Sequence, residues 1–332
     1  MATAGARIGV LGATGALGGE VLAALDRSSV RAAAIDAFGT DRSLGQEIEY
    51  QGQLYPIETE TPELRGVDLL FLCAPPAVSL EVAREALRKQ VPAIDLSGAF
   101  AAREEVPLVV ATWGVDSAGE APPLLATAGK ALPLALLLRP LAEAAGLRRV
   151  VGSVLESASA QGRGGIQAIY DESLAIFSQE EIAEPEVFER PVAFDCLPAV
   201  GPLGEGGQTE AEVRFHALLA RLLGGEPALG LTLVQIPTFV GQGASLAIET
   251  ERPLSPEEAG ALLAKAPGVQ LWQEDASGPT TRAASGSDAV LVGRVREDPS
   301  HEGGLLLWAA SDPLFLAATD AVALAEARLR GV

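Results

Sequence analysis

The chain has little that could staple or address it. Only two cysteines, Cys73 and Cys196, occur among 332 residues. They provide neither a disulfide framework nor a metal-ligand spacing. No apolar run approaches the roughly 20 residues that a membrane helix needs. The opening MATAGARIGVLG lacks a basic segment followed by a long apolar stretch. No secretory leader is therefore expected, and the expected compartment is the cytoplasm. Lysine is scarce: Lys89, Lys130 and Lys265 are three of 24 basic residues. Set against 44 acidic residues, they leave a formal net charge of −20. That sign disfavours nucleic acid and anionic membrane surfaces as partners, because both would repel the chain.

What remains is a globular chain, 48% hydrophobic and long enough for two domains. ARIGVLGATGALGGEVLAAL reads as strand, glycine turn and helix. RAAAIDAF, VDLLFLCAPP and VPAIDLSG read as strands, the second apolar throughout, as in a strand covered on both faces. SLEVAREALRKQ between them reads as an amphipathic helix. Alternating strands and helices predict a parallel sheet with crossover helices. From about Leu147 the pattern changes to long strands (LRRVVGSVLESASA, AVLVGRVRE, GGLLLWAAS) and helices (GGIQAIYDESLAIF, QTEAEVRFHALLARLLG, SPEEAGALLAKA). That half predicts a mixed, largely antiparallel sheet with helices on one face. In SPEEAGALL, Ser255 caps, Pro256 takes the first helical position and Glu258 closes a capping box.

GATGALG places Gly12, Gly15 and Gly18 between the first strand and the first helix. The three serve a tight turn, close backbone approach to a pyrophosphate, and close helix–strand packing. The anion would sit on the helix N-terminus. Cues to the nucleotide conflict. Asp36 lies at about the distance where an acid holds a ribose 2′-OH, or it simply faces solvent. Arg42 and Ser43 in DRSLG could instead hold a 2′-phosphate. A second glycine turn, at Gly129 in LLATAGKALPLALLLRPL, sets Lys130 at the start of an apolar helix. A cation there opposes the helix dipole. Three readings are open for Lys130: a Schiff-base nucleophile, a contact for a small anionic ligand, or a structural ion pair.

The motifs GATGALG, DRSLG, AIDLSGAF, VPLVV, GGIQAI, GQTEAEV, IPTFVGQGASLAIE, GSDAVLVGRVRED and GGLLLWAASD follow one another in an order that resembles the aspartate-semialdehyde dehydrogenase family. The likeness is greatest to its Usg branch, whose members diverge at the active site. The resemblance implies an α/β fold: a Rossmann-type NAD(P)-binding domain over residues 1–130 plus 312–332. The rest, 131–311, would be an α+β dimerisation domain of the semialdehyde dehydrogenase and glyceraldehyde-phosphate dehydrogenase C-terminal type. It implies a homodimer and a reversible, phosphate-dependent reaction that interconverts aspartyl phosphate and aspartate semialdehyde. The implied nucleotide is NADP rather than NAD, contacted by Gly12, Thr14, Gly15, Ala16, Leu17, Arg42, Ser43 and Gly162.

Family chemistry needs a thiolate nucleophile, a histidine base and cationic clamps for the substrate. The resemblance places Lys130 at the cysteine position, Gln242 at the histidine and Gln235 at the substrate-carboxylate arginine. Glu156 falls where the family has a glutamine near that cysteine, which makes it the implied partner if Lys130 forms a structural ion pair. An arginine that contacts phosphate maps to Ala101 or Ala102, and an asparagine to Gly114. On the TEAEVRFHALLAR helix, Ala211 and Arg214 stand for a Glu and a Lys. Cys73 and Cys196 read as inert small hydrophobes, and His216 and His301 as surface residues. On the nucleotide side, Pro75 and Pro76 replace glycines, and Asp320 replaces an asparagine where an acid would repel a pyrophosphate. NADP binding is therefore expected to be weakened or lost. The reading is a catalytically inactive homologue that binds nucleotide or a partner protein. The alternative is a working oxidoreductase for an aldehyde or acyl phosphate in aspartate-family amino-acid biosynthesis.

Overall fold

The computed structural model describes residues 5–30, 32–59, 63–114, 122–225 and 227–330. Arg31, where the second predicted strand was to begin, and the first four residues of the opening stretch lie outside them. The chain forms two compact units, Met1–Gly129 with Ala317–Val332, and Lys130–Leu316.

The first unit is built on β1 (Ala6–Leu11), α1 (Ala16–Arg27), β2 (Ala32–Gly39), β3 (Glu47–Tyr50), β4 (Gln53–Thr59), β5 (Leu69–Leu72), α2 (Pro76–Arg88), β6 (Ala93–Asp95), β7 (Leu108–Val109) and β8 (Leu124–Thr127). Its eight strands lie in the order β3-β4-β2-β1-β5-β6-β8-β7. All neighbours are parallel except β3 and β4. Side chains of a strand alternate between faces. Ile8, Val10, Leu69 and Phe71 accordingly join one core with Val21 and Leu25 of α1. Leu11, Leu70 and Leu72 join the other with Val82, Ala83 and Ala86 of α2. The expected parallel sheet is present, with an antiparallel hairpin added at one edge. Its turn is Gln51-Gly52, both residues at positive φ, as a two-residue hairpin with native twist requires.

The second unit contains α3 (Leu132–Ala145), β9 (Leu147–Glu156), α4 (Gly162–Ser178), α5 (Glu210–Leu223), β10 (Ala228–Gln235), β11 (Gln242–Thr250), α6 (Pro256–Leu263), β12 (Val269–Leu271), β13 (Val290–Glu297) and β14 (Leu305–Ser311). The strand order is β10-β9-β11-β14-β13-β12. The three central pairings are antiparallel and the two outer ones parallel, so the mixed sheet is as expected. Apolar α3 packs against β11 and β13 and touches α5 and α6. The Ser255–Glu258 capping box is formed, with Glu258 N–H donating to Ser255 Oγ over 3.2 Å. A second one, Thr209 with Glu212, opens α5 and was not foreseen. The last helix, α7 (Pro313–Arg330), belongs from Ala317 onward to the first unit. There Ala318, Ala321, Val322, Leu324 and Ala325 complete the core around α1.

Candidate active site in the second unit

Three adjacent strands set the polar residues of this site in one row. Gln235 of β10 and Gln242 of β11 both lie directly opposite Glu156 of β9, and Ser311 of β14 lies opposite Gln242. Directly opposed residues share a sheet face. Gln235–Glu156–Gln242–Ser311 is therefore a line of four polar side chains on one side of the sheet. All four are buried, each at 2% exposure. Lys130 arrives from a tight turn at Gly129, φ +48°, in a 3-10 turn that precedes α3. The glycine turn expected at Gly129 is present, and α3 begins two residues after Lys130, at Leu132. Lys130 Nζ lies 3.5 Å from Glu156 Oε2, with the lysine side chain 44% exposed. A pocket is lined by Lys130, Glu156, Ser157, Ser159, Ala160, Gly241, Gln242, Pro313 and Leu314. Lys130, Glu156 and Gln242 thus come together, while Gln235 sits beside them in the row without reaching the lining.

The hydrogen-bonding state of these groups is uneven. The Gln235 amide NH2 donates to the backbone oxygens of Glu156 (2.9 Å) and Ile236 (3.2 Å). The Ser157 and Ser159 hydroxyls bond each other at 3.0 Å. The N–H groups of Ala158, Ser159 and Ala160 donate to Thr238, Phe239 and Ser157 carbonyls. Among the described residues, Glu156 Oε1, Gln235 Oε1 and Gln242 Oε1 are buried and have no partner. Ser157 and Ser311 were missed in the sequence. The only signal for Ser157 was a Ser-x-Ser step straight after a strand, and Ser311 closes β14 with no motif of its own.

No thiol or imidazole lines this pocket. Cys73 follows β5 in the first unit, where burial, and secondarily the Asp95 charge, pushes its thiol far up. Cys196 departs from expectation: it is exposed rather than a small core residue. His216 is also not a surface residue. It is half-buried, and its Nε2 meets the Leu231 carbonyl of β10 at 2.9 Å. His301 Nε2 lies 3.1 Å from Glu249. Of the remaining implied positions, Arg214 pairs with Glu210 on the exposed face of α5, and Ala101 is buried. Gly114 holds φ +89°.

The nucleotide loop lies in the first unit. Gly12 takes φ +80°, and a Cβ on Gly18 would stand 2.2 Å from the Gly12 carbonyl oxygen, so both glycines are obligatory. Ala16 and Leu17 begin α1, whose first turn has no acid and whose Gly15 cap leaves the N–H groups without a side-chain partner. Thr14 Oγ1 and Ser43 Oγ lie 3.0 Å apart, next to exposed Arg42 in the 3-10 turn Asp41–Ser43. A helix end whose cap supplies no side-chain hydrogen bond, with hydroxyls and a guanidinium at the neighbouring turn, suits phosphate oxygens. The residues present therefore fit a dinucleotide phosphate.

Asp36 neither faces solvent nor stands at a strand end. It is buried in mid-β2 and takes two 2.6 Å bonds from Arg7, on Nε and Nη2. That ion pair removes it as a ribose acid. Pro75 and Pro76 cap and open α2. Asp320 Oδ1 accepts from Ala111 N–H at 2.8 Å, and burial pushes its carboxyl up to about 7. Near neutrality its charge is thus partly suppressed, which weakens the repulsion expected of it. Gly162, φ +69°, opens α4 in the second unit.

A parallel sheet flanked by helices with a glycine loop at its first turn, joined to a mixed α+β unit, defines a two-domain nucleotide-dependent dehydrogenase fold. Residues 7–120 match the family domain described as "Semialdehyde dehydrogenase, NAD binding domain", and residues 138–316 its dimerisation domain. An aspartate-semialdehyde dehydrogenase from Aquifex aeolicus is 30% identical over 97% of both chains. One from Bacillus subtilis is 29% identical with the same coverage. The crystal structure of aspartate semialdehyde dehydrogenase II from Vibrio cholerae, complexed with ASA, superposes with a TM-score of 0.91. It is 26% identical and covers 99% of each chain. The chain belongs to the aspartate-semialdehyde dehydrogenase family. Among the described residues no helix is long and apolar enough to cross a membrane.

Proposed function

We propose that this chain is a non-catalytic member of its family, of the Usg kind, which keeps the nucleotide crevice and the dimer but not the dehydrogenase reaction. The carrying observation is the pocket itself: Lys130, Glu156 and Gln242 converge where neither a thiol nor an imidazole lines the wall. The resemblance puts Lys130 at the nucleophile position and Gln242 at the base position. A thiohemiacetal needs a sulfur nucleophile, and a carboxamide cannot act as general base near neutral pH. Gln235 adds no cationic clamp, since its NH2 is already engaged by two backbone carbonyls. Loss of nucleophile, base and clamp together is not offset by any single retained group.

NADP is the nucleotide this reading favours over NAD. Gly12, Gly15, Ala16 and Leu17 would bear its pyrophosphate, and Thr14, Arg42 and Ser43 its 2′-phosphate. Bound, it would supply a hydride acceptor. The engagement of Asp36 by Arg7 supports this preference, because no ribose acid is then left on β2. The test is phosphate-dependent reduction of NADP by aspartate semialdehyde, with Lys130→Ala assayed in parallel. Both samples are expected at background. Activity in the parent chain that disappears in Lys130→Ala would make Lys130 catalytic and restore the oxidoreductase reading.

A further inference from the structure

Among the described residues α7 buries a single charged side chain, Asp320, at 7% exposure. Its other charged residues, Glu326, Arg328 and Arg330, lie near its end, where Glu326 accepts from Ser29 and Arg328 donates to the Pro122 carbonyl. The two oxygens of Asp320 are unequally served. Oδ1 accepts from Ala111 N–H at 2.8 Å, and Oδ2 is buried with no partner among the described residues. An ionised carboxylate buried with one oxygen unserved has lost hydration without replacing it, whereas the neutral acid carries little of that cost. Burial accordingly pushes the group up to about 7, opposed by the N–H groups of Ala111 and Thr112.

This carboxyl sits behind the nucleotide loop. Ala111 follows β7 and Gly12 follows β1, so both lie at the carboxyl edge of the sheet, where open α/β sheets bind ligands. Ala318, Ala321 and Val322 of α7 share one core with Ala13 of the glycine loop, Leu17 of α1 and Ala111 itself. The turn Ala111–Trp113 carries no titratable side chain. The elements around this core carry Glu20, Asp26 and Arg27 on α1, Cys73 after β5 and Asp95 at the end of β6. None of them is among the groups that shift Asp320. Burial holds the Cys73 thiol far above neutrality. Burial also raises Asp95, whose carboxylate accepts from Ser97 and from the Phe100 N–H.

We propose that α7 is a proton-operated latch behind the nucleotide loop, held closed by neutral Asp320 and by bound nucleotide, and released when Asp320 loses its proton to solvent. The nucleotide half of this inference rests on the NADP reading, and the proton half does not. Docked, the carboxyl titrates near 7, and on a lifted helix it returns to about 3.8. Opening therefore becomes easier as pH rises from about 4 through 7, and the effect levels off above.

The test is amide hydrogen exchange on the full chain, with Asp320→Asn beside the parent, at pH 5 and pH 8. The parent-to-variant ratio at each amide cancels both the intrinsic pH dependence of exchange and the titration of Asp95. For amides from Ala318 to Leu324 that ratio should grow by about ten- to a hundredfold between the two pH values. Val10 in β1 and Val154 in β9 should show no such growth. A ratio that does not change with pH, or that grows equally at Val10, would overturn the latch. If Asp320→Asn fails to fold, the exchange of α7 relative to Val10 within the parent decides the same question. NADP at about ten times its Kd should slow the α7 amides about tenfold. NADP that binds without slowing them would overturn the link to the loop. NADP that does not bind would overturn the nucleotide reading alone, and the pH series would still decide the latch.

Discussion

Glu156 and Lys130 are unequal partners. The carboxylate is buried and the ammonium is 44% exposed, so most of the desolvation falls on the acid. Lys130→Ala leaves that acid without the one cation that pairs with it among the described residues. Unfolding in urea at pH 7 should show a loss of about 1 kcal/mol, held low because solvent screens the lysine. An unchanged midpoint would mean that the pair contributes nothing. At this scale the sequence was informative on identity and weaker on environment. Lys130 and Glu156 could be paired from motif order, but Cys196, His216 and Asp36 were each misplaced. A one-dimensional pattern does not reveal which strand a side chain meets. Arg7 and Asp36 are 29 residues apart and become neighbours only once β1 pairs with β2.

The elements were more legible than the residues. Periodicity and glycine position located α1, α2 and the parallel strands, because buried faces impose their spacing on the chain. The β3–β4 hairpin was not read, since Gln51-Gly52 is a weaker turn signal than Asn-Gly. Two elements carry testable energetics. Gly18→Ala drives a Cβ to 2.2 Å from the Gly12 oxygen; α1 must shift away from the loop. A loss of about 2–4 kcal/mol is expected, with nucleotide binding lost in parallel, and calorimetry would show both. The second is the fastening of α7 by Asp320 to Ala111. The native carboxyl titrates near 7, well above the 3.8 of an unperturbed group. The native state therefore binds the proton more tightly, and stability falls as pH rises from about 4 through 7. Asp320→Asn should raise the Tm at pH 8, by at most about 4 kcal/mol of stability, with the gap closing towards pH 4. A gap that does not change with pH would contradict this.

At the scale of the whole molecule, the second unit is the family's dimerisation domain, and it exposes Tyr170, Leu174 and Phe177 on α4. Phe177 meets Phe194 edge to face at 5.4 Å between ring centroids, yet they remain 75% and 63% exposed. An apolar patch of this kind marks a contact surface, and a second copy of the chain is its expected occupant. Sedimentation velocity should find a dimer, and Phe177→Glu should shift it towards monomer; an unaltered dimer would place the interface elsewhere. The return of α7 to the first unit has a consequence for synthesis. Residues 130–316 can be completed and folded while the ribosome still holds the last stretch. The earlier-made sheet meanwhile lacks Ala318, Val322 and Leu324, and its core around α1 stays open to water. The first unit, made before the second, is thus the last to close. A stop codon just after Leu316 would leave a sound second unit tethered to an unsealed first one, open to proteolysis across the whole nucleotide crevice.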